Sequence, residues 1–172
     1  ALFLGHGDPV PGTCVTIALE GRRALPVEVQ ALTIGTAAPN PRRVVNGVDG
    51  ARVAMILAVL EKRARLPLSQ HDVYVSTVGG VRLVEPAADL AIAVAIANSL
   101  KDRALARGTA AIGELTLSGE IRPVAQAAQR RTEATRLGYT TVVDAEQRTV
   151  AAALRTMERH AAPAPAEPPP RF

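Results

Sequence analysis

Two carboxylates four residues apart, Glu85 and Asp89, bracket the head of an apolar run, and such a pair can in principle divide acid and base roles. Their setting argues for a plainer use. Pro86 presets φ for a helix start, so acidic groups beside it complement the helix dipole or cap free N–H groups. Asp89 lies one turn inside the run and, if buried, needs a cation such as an arginine. The other hydrolytic device to look for is a serine activated by a desolvated, neutral lysine. The serines are Ser69, Ser76, Ser99 and Ser118, and the lysines are Lys62 and Lys101. Both lysines fall at helix ends, which favours exposure and full charge. Ser99 and Lys101, two apart on one helix, point to different faces. No working dyad is expected.

Metal and nucleotide chemistry find little footing. His6, His71 and His160 share no ligand spacing with one another or with Cys14, so surface or capping roles are expected and no metal site. A lone cysteine forms no internal disulfide and suits a reduced, cytoplasmic setting. Gly5-x-Gly7 in GHGDPVPG lacks the third glycine and the strand-to-helix setting of a dinucleotide fingerprint. There is no GxxxxGK[ST], hence no ATP site and no cofactor expected in this stretch. No run of 18 apolar residues is present, so no membrane partner is indicated.

Charge says more. The net charge is +4 with a pI near 10, and all but two of the 20 basic residues are arginines. They gather in two zones. Residues 40–66 hold Arg42, Arg43, Arg52, Lys62, Arg63 and Arg65 against Asp49 and Glu61; residues 122–136 hold Arg122, Arg130, Arg131 and Arg136 against Glu133. Arginine suits bidentate phosphate contact, so the zones could track a nucleic-acid backbone. A solvated helix face or a salt-bridged subunit contact would use the same residues. Aromatics are 2% of the chain, so any such binding is sequence-independent and salt-dependent rather than built on base stacking.

The elements that position these groups can be laid out in order. Cys14 to Leu19 alternates as a strand, Gly21-Arg22-Arg23 turns, and Leu25 to Ile34 returns as a second strand in which Pro26 asks for an edge or a bulge. Residues 37–50 carry Asn, Pro and Gly punctuation. A helix from about Val48 to Arg65 follows, stopped by Pro67, and then a strand from Asp72 to Val78. Ala87 to Leu100 carries only Asp89, Asn98 and Ser99 as polar groups, so this helix must be covered on several sides. Thr109 to Val124 reads as a hairpin about Ser118-Gly119, its Glu114 and Glu120 pairing across it or facing solvent. Gln126 to Leu137 is an arginine-rich helix ending at Gly138. Thr140 to Val143 is a short strand, and a last helix runs from Asp144 or Ala145 to about His160. The expected division is an entry segment at 1–13, a domain at 14–160 with an aliphatic core, and a proline-rich, disordered tail at 161–172. The start without Met, on Ala1-Leu2-Phe3-Leu4, reads as a piece of something longer.

The strand series, the loop-helix and the GELTLSGEIRPV hairpin with its arginine-rich helix resemble the Lon-protease-type fold. That fold is an α/β (α+β), ribosomal-S5-domain-2-like module with a mixed sheet packed with helices. Within it, DPVPGTCV, VEVQAL, NPRRVVNG, DVYVSTVGGVRLVEPAADLAIAVAIANS and GELTLSGEIRPV resemble the C-terminal domain of the RadA (Sms) family of bacterial DNA repair proteins, over roughly residues 1 to 145. Lon proteases place a serine at the head of the central helix and a lysine on the helix after the hairpin. Those positions fall here on Ala87 and Ala128, so the resemblance implies a fold kept without peptidase chemistry. It further implies a parent with a zinc-binding segment and an ATPase using ATP and Mg2+. That parent would form a homo-oligomeric, hexameric ring acting in branch migration on single- or double-stranded DNA in the cytoplasm, with a recombinase as a further partner. The implied role is scaffold, with Arg42 and Arg43 on the DNA-facing surface. An active peptidase with another nucleophile, or an assembly module without DNA contact, are the alternatives.

Overall fold

A computed structural model describes residues 9–159. The entry residues 1–8, with His6 and the Gly5-x-Gly7 pair, lie outside them, as do His160 and the proline-rich tail. Thr13–Glu20 (β1) and Arg23–Gly35 (β2) form the opening hairpin, registered from Thr13 opposite Gln30 to Glu20 opposite Arg23. Gly21, at φ +60°, supplies the left-handed turn residue. Arg43–Asn46 (β3) is a short strand that the punctuation of residues 37–50 hid, since four mostly exposed residues between Pro41 and Gly47 carry no readable period. It pairs in parallel with His71–Thr77 (β4), and β4 pairs antiparallel with β2 from Val29 onward. Pro26 therefore sits where β2 has a neighbour on one side only, and its missing N–H leaves no ladder bond unmade.

Between β3 and β4 runs the helix Gly50–Arg63 (α1), whose N-cap Asp49 accepts from the Ala51 N–H at 2.9 Å. Its apolar face buries Val53, Ile56, Leu57, Val59 and Leu60, and its last turn carries Lys62 and Arg63. After β4 the chain passes Gly79 and Gly80 and makes a single tight turn, Pro86–Ala88. It then enters the helix Asp89–Leu100 (α2). Every residue from Asp89 to Asn98 is buried, because β1 and β2 lie beneath α2 while α1 and Val150–Arg159 (α4) lie beside it. Burying each of Leu90, Ile92, Val94 and Ile96 contributes about 1.5–3 kcal/mol.

The stretch read as one hairpin over 109–124 divides in two. Thr109–Ala111 (β5) joins the large sheet, parallel to β1 through Ala110 opposite Val15; only Glu114–Leu115 (β6) and Ile121–Arg122 (β7) form the hairpin. Gly113 marks the break: a Cβ there would stand 2.5 Å from Ile121 Cγ2, so only glycine admits this approach. Ala127–Arg136 (α3) and Thr141–Val143 (β8) follow, completing a mixed six-stranded sheet in the order β3-β4-β2-β1-β5-β8. The last helix starts later than its sequence suggests. Arg148, at φ +69°, interrupts the chain after the turn Ala145–Gln147, and α4 begins at Val150.

The fold class is thus the expected one, a mixed α/β sheet packed with helices. On one face lie α1, α2 and α4. On the other, α3 packs over β1 and the start of β2, with Val15, Ile17, Ala110, Ala134 and Tyr139 in a second, smaller apolar cluster.

Candidate functional site

The head of α2 is stitched to the segment before β6. Leu90 N–H donates to the Gly113 carbonyl and Gly113 N–H to the Ala87 carbonyl, each at 3.0 Å. Ala87 and Ala88 are buried at this junction, whereas Ala128 is exposed on α3. Neither alanine can hold or pass a proton.

The two carboxylates here are committed to ion pairs. Asp89 is wholly buried and receives the Arg52 guanidinium on both oxygens, Nε reaching Oδ1 at 2.8 Å, while Leu115 N–H donates to Oδ2 at 3.1 Å. The arginine that Asp89 requires thus comes from the first turn of α1, and Glu114 stands 4.0 Å from the same guanidinium. Burial pushes the Asp89 carboxyl above its ordinary value, against the pull of Arg52 and the Leu115 N–H. The hydrogen bond to Asp89 holds Arg52 firmly protonated.

Glu85 does not cap the helix, as its place before Pro86 suggested. Its side chain makes no cap bond; it pairs with Arg130 and accepts from Leu19 N–H at 3.4 Å. Arg130 is 4% exposed and also donates to the Ile17 and Ala125 carbonyls, each at 3.0 Å. Its guanidinium therefore ties α3 to β1 and to the entry of α2, and it faces the interior rather than a ligand. A charged residue in a polar helix gives no sign in sequence of which way it points.

The hydroxyls of Ser76, Ser99 and Ser118 and the Lys101 ammonium have other partners. Ser99 Oγ accepts from Thr33 N–H at 3.0 Å, Ser76 Oγ donates to the Thr77 carbonyl at 3.1 Å, and Ser118 Oγ lies 2.8 Å from Thr116 Oγ1. Lys101 pairs with Glu158, joining the end of α2 to α4, and that hydrogen bond holds the Glu158 carboxyl below its usual range. His71 Nδ1 is 2.8 Å from the Pro67 carbonyl. Among the described residues no group of three or more His, Cys, Asp or Glu side chains could hold a metal ion. Burial pushes the Cys14 thiol far up.

The basic zones resolve into distinct settings. Arg42, Arg43, Lys62, Arg63 and Arg65 meet at one end of the molecule, where α1 finishes and β3 and β4 begin; there Arg43 donates to the Leu68 carbonyl at 2.9 Å and to that of His71. Arg43 is thus a strut for this corner. Arg52 stands at the opposite end of α1, about 16 Å away at 1.5 Å per residue. Arg63 leans on the Leu117 carbonyl at 3.5 Å. In the second zone Arg131 pairs with Asp144 and Arg136 with Glu133, leaving Arg122 exposed opposite Glu114. Of the nominated cations, Arg42, Lys62, Arg65 and Arg122 are exposed with no side-chain partner among the described residues. Sequence reasoning passed over Arg22 and Arg23, exposed at the β1–β2 turn beside α3, where Gln129 donates to the Arg22 carbonyl at 2.7 Å. Two adjacent arginines in a tight turn were the available signal.

No helix among the described residues is long and apolar enough to cross a membrane. Residues 53–148 match the family described as subunit ChlI of Mg-chelatase. The chain is 52% identical over 134 residues to a protein of Mycolicibacterium smegmatis named DNA repair protein RadA, covering 78% of this chain and 28% of that one. A protein of the same name from Mycobacterium tuberculosis strain H37Rv is 50% identical over 140 residues, 81% of this chain and 29% of its own. That of Synechocystis is 47% identical over 139 residues, 80% and 28%. The chain thus spans under a third of the length of these relatives.

Proposed function

Because the chain belongs to the family described as subunit ChlI of Mg-chelatase and is homologous to bacterial DNA repair proteins named RadA, we propose that it is a proteolytically silent, Lon-like scaffold of a RadA-type repair ATPase. In this role it supports a homo-oligomeric, hexameric ring in the cytoplasm and offers DNA, single- or double-stranded, a sequence-independent track during branch migration. ATP, Mg2+ and Zn2+ belong to the remaining parts of the parent.

The observation that carries this reading is the state of the α2 head. Where a nucleophile and a base would stand there are a buried Ala87 and an exposed Ala128, and the neighbouring carboxylates are neutralised by Arg52 and Arg130. A position that keeps the helix-and-strand junction but holds no proton carrier suits a scaffold. Support for the track is the exposed corner formed by Arg42, Lys62 and Arg65.

Two assays test it. The purified chain should leave casein intact and take no label from a serine-reactive probe; labelling of any serine would favour the peptidase alternative. Reversing charge together at Arg42, Lys62 and Arg65 should weaken DNA binding while the melting temperature holds, because none of these side chains has a partner to lose among the described residues. Unchanged binding and unchanged salt dependence would refute the track.

A further inference from the structure

On the sheet face that α3 covers at β1 and the start of β2, the strands β3 and β4 and the second half of β2 lie bare. Leu32 stands directly opposite Tyr74, and Tyr74 opposite Val44, giving an apolar row across three strands, with Leu32 56% and Val44 48% exposed. Val10 borders the same groove, and exposed Ile34 follows on β2, opposite Asp72. The adjoining row is Gln30, Ser76 and Asn46, polar but uncharged, and the two rows floor a groove of about 430 Å³. Phosphate needs cations, and these two rows hold none; the nearest, Arg42, stands beyond them at the edge of the face, next to Asp72.

The same chain carries a complementary feature on its other side. Leu117, at the tip of the β6–β7 hairpin, is 69% exposed, the most of any large hydrophobic residue among those described. The tip rests on the helical layer: Arg63 at the end of α1 donates to the Leu117 carbonyl, and Val150 N–H at the start of α4 donates to Gly119. It lies in the layer opposite the bare sheet face and cannot reach its own groove. Charge matches too. Arg63 accompanies Leu117, while Glu28, half-buried at the edge of the groove and hydrogen-bonded to Gln30, has no ion-pair partner among the described residues.

We propose that the bare sheet face receives the Leu117 hairpin tip of a second copy of this chain, head to tail, with Arg63 of that copy set against Glu28. A contact between two different patches is heterologous and closes into a ring when its rotation allows. The proposal rests on the assembly half of the function above and names the surfaces that assembly uses.

The test is light scattering of the purified chain over a concentration series, with thermal melts to verify folding. Leu117→Asp and Leu32→Lys should each weaken self-association by about tenfold or more, since each puts a charge into an apolar contact. Glu28→Arg and Arg63→Glu should each weaken it, and the two together should restore it. Chains bearing Leu117→Cys mixed with chains bearing Ser76→Cys should cross-link only in the mixture, Cys14 being buried and inert. Association that survives both Leu117→Asp and Leu32→Lys, with no charge-swap rescue, would overturn the proposed surfaces while leaving assembly standing. A chain that stays monomeric throughout would overturn both.

Discussion

Removing Arg52 should destabilise this protein more than removing the charge of Asp89. Asp89 is wholly buried, whereas the Arg52 side chain is 24% exposed and can turn to water when its partner goes. Arg52→Met strands a buried carboxylate, a defect worth about 3–5 kcal/mol. Asp89→Asn keeps an oxygen for the Leu115 N–H and frees a guanidinium that rehydrates or leans toward Glu114, so about 1–2 kcal/mol is expected. Replacing both by Met and Leu should recover most of the loss. The pH dependence gives a sharper check. In Arg52→Met the folded-state carboxyl rises further above its unfolded value, so the folded state binds the proton more tightly. The variant is then most stable below the ordinary carboxylate range and loses stability as pH rises through the folded value. Urea unfolding of the three variants at pH 5 and pH 7 measures all of this. Equal losses for the two single variants, or an Arg52→Met loss that does not shrink at pH 5, would refute the reasoning.

Three further outcomes are expected. Arg130→Met should cost about 1–3 kcal/mol in urea unfolding, because it takes a donor from the Ile17 carbonyl and from Glu85, whose carboxylate keeps the Leu19 N–H and is exposed enough to rehydrate; a melt like the wild type's would show that Arg130 is not structural. Lys101→Met should lose up to about 1 kcal/mol, a pair this exposed being partly screened. Because Lys101 depresses the Glu158 carboxyl, that difference is present above the unfolded carboxylate value and vanishes as pH falls through the folded one; melts from pH 3 to 7 would reveal it. Gly12→Ala should destabilise by about 1–3 kcal/mol, since Gly12 sits at φ +77° with a new Cβ only 2.5 Å from the Ala31 carbonyl, and an unchanged melt would argue against that approach.

The sequence was most readable where one physical demand dominates. The run from Ala87 to Leu100 has too few polar groups to face water, and it is the buried centre of the fold. The demand of Asp89 for a cation was readable as well, but the donor comes from a helix 37 residues earlier, which no local pattern indicates. Local charge misled at the second basic zone because sums carry no direction: Arg130 turns inward, and Arg131 and Arg136 are held by Asp144 and Glu133. The first zone concealed a different split, with Arg52 at the far end of α1 from Lys62, Arg63 and Arg65. The strand β3 and the bare sheet face were invisible for a related reason. Val44, Leu32 and Ile34 are apolar residues left in solvent, and the alternation rule assigns such residues to a core.

Binding of the purified chain to labelled single- and double-stranded DNA across a salt series bears most directly on the idea of a silent scaffold that is also a track. Three exposed cations, Arg42, Lys62 and Arg65, each meeting one phosphate predict a log–log slope of about −2 to −3, shared by unrelated duplex sequences. No binding at low salt, or affinity that ignores salt, would contradict it.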